Sequence, residues 1–110
     1  MEIGYSQQII TPSLDRPVFL AGFAQNRRAQ SVHDDLYARA LALREGSNTL
    51  VLCALDLIGF FRLEVMDVAA RVSKHVPGTH IIIASTHTHH GPDTIGLWGP
   101  DNRTCGVDPE

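Results

Sequence analysis

Thr49-Leu50-Val51-Leu52-Cys53-Ala54-Leu55-Asp56-Leu57 is the stretch on which the fold turns. It is a strongly apolar run of strand length, expected to be a buried strand. Glu45-Gly46-Ser47-Asn48 before it is a turn signal. Leu36 to Arg44, before the turn, alternates weakly and reads as a strand. The two runs predict a β-hairpin with a four-residue loop, in which Leu36 pairs near Leu57. Beyond Leu57 the period changes. Val65, Val68, Ala69, Val72 and Val76 recur at helical spacing, with Arg62, Glu64, Asp67, Arg71 and Lys74 between them. Lys74 and His75 fall in the last turn, where cations suit the helix dipole. Pro77-Gly78 stops the helix, and His80 to Ser85 is a second buried strand. Strand, helix, strand predicts two parallel neighbours joined by a right-handed crossover. The expected fold class is therefore α/β. It is a mixed β-sheet in which a β-hairpin is followed by a right-handed βαβ unit, with a helix near Arg62 to His75 on one face.

Upstream of the hairpin, residues 6 to 11 and 17 to 21 read as short strands separated by Pro12 and the turn-like Ser13-Leu14-Asp15-Arg16. Residues 22 to 35 are polar and loop-like. From Gly91 onward Pro, Gly, Asp and Asn dominate, and residues 100 to 110 are expected to be a poorly structured tail with no closing element. The chain reads as part of a domain.

Composition narrows the function classes. The chain has 110 residues, 44% hydrophobic and 19% charged, which is ordinary for a globular protein with a real core. A net charge of −3 with six neutral His leaves no basic footprint for nucleic acid and no polybasic patch for an anionic membrane. No apolar run approaches the ~20 residues of a spanning helix. Met1-Glu2-Ile3-Gly4 opens no secretory signal, and the compartment is left open. Cys53 lies in the apolar run and reads as a buried free thiol. Cys105 lies in the tail, and no disulfide between the two is expected.

In open α/β sheets, ligands gather at the carboxyl ends of parallel strands. That rule selects Asp56 to Gly59 and Thr86-His87-Thr88-His89-His90-Gly91-Pro92-Asp93. The hairpin register adds His33, Asp34 and Asp35 at the edge that carries Asp56. Three polar clusters are thus expected on one rim. In an extended segment His87 and His89 point to one side and Thr88 to the other. Two imidazoles on one side, just past a buried strand, suit a divalent metal. Asp56 either bonds a loop backbone or orients an imidazole. His33 either lines the site or packs in its loop. Asp34 and Asp35 are adjacent and cannot both face inward. His75 and His80 lie at the other end of the strand, roughly 23 Å away if extended, and are not recruited.

At these residues the sequence resembles the neutral, non-lysosomal ceramidases. Ala21-Gly22-Phe23-Ala24 through Gln30-Ser31-Val32-His33-Asp34-Asp35-Leu36-Tyr37-Ala38-Arg39-Ala40 is similar to one family segment. Leu55-Asp56-Leu57 is similar to the Val-Asp-Leu ending a family strand. Thr86-His87-Thr88-His89 followed by Gly91-Pro92 matches the family's most specific element. The resemblance spans roughly residues 18 to 100 and implies that residues 1–110 are the N-terminal part of a longer catalytic domain. It implies a zinc ion (Zn2+) held by His87 together with a later His, a Glu and a Tyr. It implies that His89 contacts substrate or transition state, and that the reaction is attack of metal-activated water on an amide. His33, Asp56 and His90 are then expected to bind substrate or to support the ligands. The implied partners are a lipid-like or N-acyl amide substrate and the remainder of the catalytic domain. His90 stands where the family often has Ser or Ala. Asp93-Thr94-Ile95 replaces a Gly-rich continuation, which opens the substrate class to other amides and esters.

Three rival readings share the His-x-His pattern. The amidohydrolase barrels also use it, but on the first strand of a barrel. A metallo-β-lactamase-like site needs Asp two residues after the second His, where this chain has Gly91. The third is a non-catalytic metal-binding module.

Overall fold

A computed structural model describes residues 1–104 of the chain. Its elements run β1 (Glu2–Ile9), β2 (Tyr37–Glu45), β3 (Asn48–Leu55), α1 (Arg62–His75) and β4 (Thr79–Ser85). They build a four-stranded mixed sheet in the order β1-β2-β3-β4, an α/β arrangement as expected.

The hairpin has the expected register. Ala38 pairs with Leu55 and Glu45 with Asn48, which carries Leu36 to the level of Leu57. Only Gly46 and Ser47 form the turn, because Glu45 and Asn48 already pair across it. Gly46 adopts φ 58, the left-handed geometry that two-residue hairpin turns require. β3 and β4 are parallel, with Thr49 level with Thr79 and Leu55 with Ser85. Beyond the last paired residues the two chains stay bonded. Thr86 N donates to Leu55 O at 2.9 Å, and His87 N donates to Leu57 O at 3.0 Å. The carboxyl ends of both parallel strands therefore meet at one place.

α1 begins after Phe61 with no side-chain cap and ends at Val76, whose N–H still bonds Val72 O. Val65, Val68, Ala69 and Val72, on the stripe that the sequence period marks, are half-buried together with Ser73, while Val76 past the helix end is exposed, and the helix packs on β4. Gly78 makes the return. Its φ is 77, and a Cβ there would run into the Ser47 carbonyl oxygen.

The expectation of buried strands holds on one face only. Thr49, Val51, Cys53 and Leu55 face the covered side, while Leu52 is 38% and Ile82 57% exposed on the other. The pairings put Ile3, Tyr5, Leu41 and Leu52 on that same open face. A sheet needs a second layer to bury both faces, and among the described residues the single helix covers one side only.

Two further expectations are corrected. The first strand is Glu2–Ile9, not residues 6 to 11, because Ile3, Tyr5, Gln7 and Ile9 pair in register with β2 all the way to Arg44. Residues 17 to 21 make isolated bridges instead of a strand: Phe19 with Arg28, and Leu20 with Pro92. Pro17 lacks an N–H and Gly22 turns left-handed at φ 81, so little extended chain is left between them. This short run is wedged between residues 27–29 and 91–93, with Leu20 N on Arg27 O, Ala21 N on Gly91 O and Asp93 N on Phe19 O. Part of the expected tail, including Cys105, lies outside the described residues. Residues 101–104 are turns and bends.

Candidate functional site

The segment after β4 is not extended. His87 has φ 63, a left-handed conformation that is uncommon for a non-glycine residue. The expectation that an extended backbone aims His87 and His89 the same way therefore fails, yet the two rings meet. Their centroids are 5.0 Å apart and they cross edge to face at 77°. The left-handed residue takes the place of strand alternation in bringing them together.

The surroundings of the two rings differ. His87 Nδ1 lies 2.7 Å from the Ile58 carbonyl oxygen. A carbonyl can only accept, so neutral His87 carries its proton on Nδ1 and leaves the Nε2 lone pair free. A bond of this kind orients a metal-binding imidazole through its other nitrogen. His89 Nδ1, in contrast, is buried with no hydrogen-bond partner. A proton there would be a buried donor without an acceptor, so neutral His89 carries its proton on Nε2. The pair presents one free acceptor nitrogen and one N–H donor.

Around His89 lies a strained turn. Ala24 N donates to Gly22 O at 2.9 Å, closing a γ-turn about Phe23, which has φ 65. The Phe23 ring stands 4.6 Å from the His89 ring. Arg27 Nη1 donates to the carbonyls of Ala21 (2.9 Å), Gly22 (3.0 Å) and His89 (3.2 Å), and its guanidinium lies 5.1 Å from the Phe23 centroid. Among the described residues, the non-glycine residues with positive φ are Phe23, Asn26 and His87. All three lie in the two loops that hold the histidines, and strain of this kind clusters at functional sites.

A second set of bonds fixes the loop after Gly91-Pro92. Asp93, 7% exposed, accepts Ile95 N (3.0 Å) and Gly96 N (2.9 Å) on Oδ1 and Trp98 N (2.7 Å) on Oδ2. Gln25 ties this loop to the γ-turn, donating to Leu97 O at 2.9 Å and accepting Gly99 N at 2.7 Å. Thr94 Oγ1 donates to Gly59 O at 2.7 Å.

The three polar clusters share a rim but do not share a site. Asp56 accepts Tyr37 N and Arg39 Nη1, both at 3.0 Å, so it takes the backbone role and touches no imidazole. Arg39 in turn stacks 4.4 Å over the Tyr37 ring. The His33 side chain is 95% exposed and bonds only its neighbour Asp34, which is solvated. Asp35 accepts the Thr11 hydroxyl at 2.8 Å. His33, Asp34, Asp35 and His90 line an open cavity of about 640 Å³ together with Leu14, Leu36 and Thr88. His80 lies level with Leu50, at the far end of the sheet. Among the described residues no three His, Cys, Asp or Glu side chains converge to hold a metal. His87 Nε2 is the free imidazole nitrogen that the pair offers to a metal.

Comparison with solved structures finds a neutral ceramidase from Pseudomonas aeruginosa at a TM-score of 0.71 and 27% identity. A ceramidase complexed with C2 matches at 0.72 and 27%. This chain is neutral ceramidase-like. The match covers 87% of the chain but 16% of each ceramidase chain. No family model matches the chain, and no curated protein does. Sequence reasoning missed Arg27 and the bracing role of Asp93. The latter had a local signal, since Asp followed three residues later by Gly marks a tight turn whose side chain bonds the backbone. Arg27 had none, because its three acceptors come from two segments far apart in sequence.

No helix among the described residues is long and apolar enough to cross a membrane.

Proposed function

We propose that this chain is part of a zinc-dependent hydrolase of the neutral ceramidase type, cleaving an N-acyl amide. The observation that carries the reading is the split between the two histidines within a ceramidase-like fold. His87 is held through Nδ1 with Nε2 free, and His89 has Nδ1 buried with Nε2–H free. His87 Nε2 would hold Zn2+, with the remaining ligands supplied by further polypeptide of the catalytic domain. When bound, the metal supplies a water of lowered pKa and polarises the scissile carbonyl. His89 donates its Nε2 proton in a hydrogen bond to the substrate oxygen on which charge develops, a contact that strengthens in the transition state. The cavity lined by His33 and His90 takes in Thr88, the residue between the pair, and its mixed apolar and polar walls suit part of an amphiphilic N-acyl substrate. The apolar open face of the sheet, with Ile3, Tyr5, Leu52 and Ile82, packs against the rest of that domain.

The test compares two variants of the complete hydrolase. His87→Ala should lose both bound zinc and turnover of a fluorogenic N-acyl amide. His89→Ala should keep most of its zinc and lose turnover. Equal zinc loss in the two would overturn the division of roles and favour a His-x-His chelate. A catalytic zinc has three protein ligands plus water. The 110-residue chain alone should therefore show no zinc-dependent turnover, and turnover abolished by His87→Ala would refute that.

A further inference from the structure

We infer that the turn from Gly22 to Arg27 is a positioning device for His89, seating its ring so that Nδ1 is unprotonated and Nε2–H is the donor. The use of that donor rests on the hydrolase reading above; the seat itself does not.

Three contacts make the seat. The first is a missing side chain. Gly22 has φ 81, and a Cβ built on it would lie 2.7 Å from His89 Cε1, 2.8 Å from Cγ and closer still to Nδ1. The ring thus occupies the space that any other residue would fill, and the Gly22 Cα–H faces the Nδ1 edge. A C–H group is a weak donor, enough to neighbour a lone pair but useless to an N–H. A proton on Nδ1 would be a buried donor with no acceptor there. The second contact is the Phe23 ring at 4.6 Å, which walls off one side of the imidazole. Phe23 reaches it only because the γ-turn holds it left-handed. The third is Arg27, whose Nη1 binds the carbonyls of Ala21 and Gly22 on one segment and of His89 on the other. Arg27 is therefore the clamp that keeps a strained turn pressed on the ring it seats. All three bonds run from Nη1 to backbone oxygens, so Arg27 acts on His89 through the backbone it ties.

The experiment is NMR on the whole chain, metal-free and without substrate, with 15N-labelled histidine. Long-range correlations from the ring carbon-bound protons report which nitrogen of His89 carries the proton. The nuclear Overhauser contact between Gly22 Hα and His89 Hε1 reports the seat. The wild-type chain should show His89 as the Nε2–H tautomer alone, with that contact present. Arg27→Met keeps an unbranched apolar stem but cannot donate; it should lose the contact and admit the Nδ1–H tautomer. Arg27→Lys, which keeps one donor group, should retain the contact in weakened form. Arg39→Met breaks a bond elsewhere on the same rim and should leave His89 unchanged. A wild-type Nδ1–H signal would overturn the inference. So would an Arg27→Met spectrum identical to wild type, or an Arg39→Met variant that disturbs His89 as much. Failure of the hydrolase reading would appear instead as amide turnover and zinc content insensitive to His87 and His89, with the tautomer intact.

Discussion

The sheet and the loop layer above its rim are held together by different means. In β2 and β3 the backbone satisfies itself through eight consecutive paired positions from Ala38 to Glu45. In the loop layer, scattered backbone bonds are supplemented by side chains. Arg27, Gln25 and Thr94 bind backbone groups of a neighbouring segment, and Asp93 binds three N–H groups of its own loop. A ladder shares its stability over many equivalent bonds, so no one side chain decides it. A loop braced by a few side chains depends on each of them, and leaving a buried backbone group unpaired costs more than a typical bond gains. The candidate site lies on the second kind of region, because loops can place unlike groups side by side where a ladder repeats one geometry.

The sharpest way to break that contrast is Asp93. Its carboxylate satisfies three backbone N–H groups, and it is itself buried. Asp93→Ala should cost about 3 kcal/mol in urea unfolding, since bonds to a charged group exceed ordinary ones and the three donors lose their acceptor together. Asp93→Asn keeps an oxygen for Ile95 and Gly96 but offers an NH2 to Trp98 N, and should cost about half as much. If Asp93→Ala left the unfolding midpoint unchanged, the loop layer would not depend on single braces.

The sheet has its own unforgiving point, and it tests the other side of the comparison. Gly78→Ala combines a left-handed backbone at φ 77 with a clash on the Ser47 carbonyl. It should cost about 2 kcal/mol, because an L-residue pays 1–2 kcal/mol for that conformation before any clash. Gly46 has φ 58 and open space around it. Gly46→Ala should therefore cost only about 1 kcal/mol, and Gly46→Asn less, since Asn tolerates the left-handed region. Equal losses at the two glycines would mean that the close approach of Gly78 to the hairpin turn contributes nothing.

The same contrast explains what could be read from the sequence. The hairpin register, the span of α1 and the parallel β3–β4 pair follow from periodicity, because repeating hydrogen bonds leave repeating sequence marks. β1 was legible only in part: Ile3, Tyr5 and Ile9 alternate, but the polar Gln7-Gln8 pair masks the period. The choice of His87 and His89 came from their density and place after a strand. Their orientation did not, because it depends on a left-handed His87 that no local residue preference announces. The seat of His89 was illegible for a similar reason. It joins residues 22, 23 and 27 to residue 89, and a contact across more than sixty positions leaves no pattern within either segment. Asp56 was readable as a polar group ending an apolar strand, but its partners Tyr37 and Arg39 become apparent only from the pairing register.

The smallest expected effect lies on the covered face of the sheet and tests whether that face is dry. Cys53 stands between Ala40 and Ile83 in register, is a free thiol and is half-buried. Burial pushes its pKa up. In the unfolded chain the thiol ionises near its ordinary value, about 8.5. Above that pH the unfolded state has released a proton that the folded state still holds. Unfolded chain then binds fewer protons than folded chain, so the stability slope with pH is negative. The contribution is fully present below about pH 8.5 and is lost as pH rises through the folded-state value. Cys53→Ala removes it. The difference in unfolding free energy between wild type and Cys53→Ala, under reducing conditions, should be flat from pH 6 to about pH 8 and then move against the wild type. Other groups also titrate in the alkaline range, but they are common to both proteins and cancel in the difference. A difference that stayed constant to pH 10 would mean that water reaches the thiol in the folded chain, and that the helix leaves this face of β3 as open as the other.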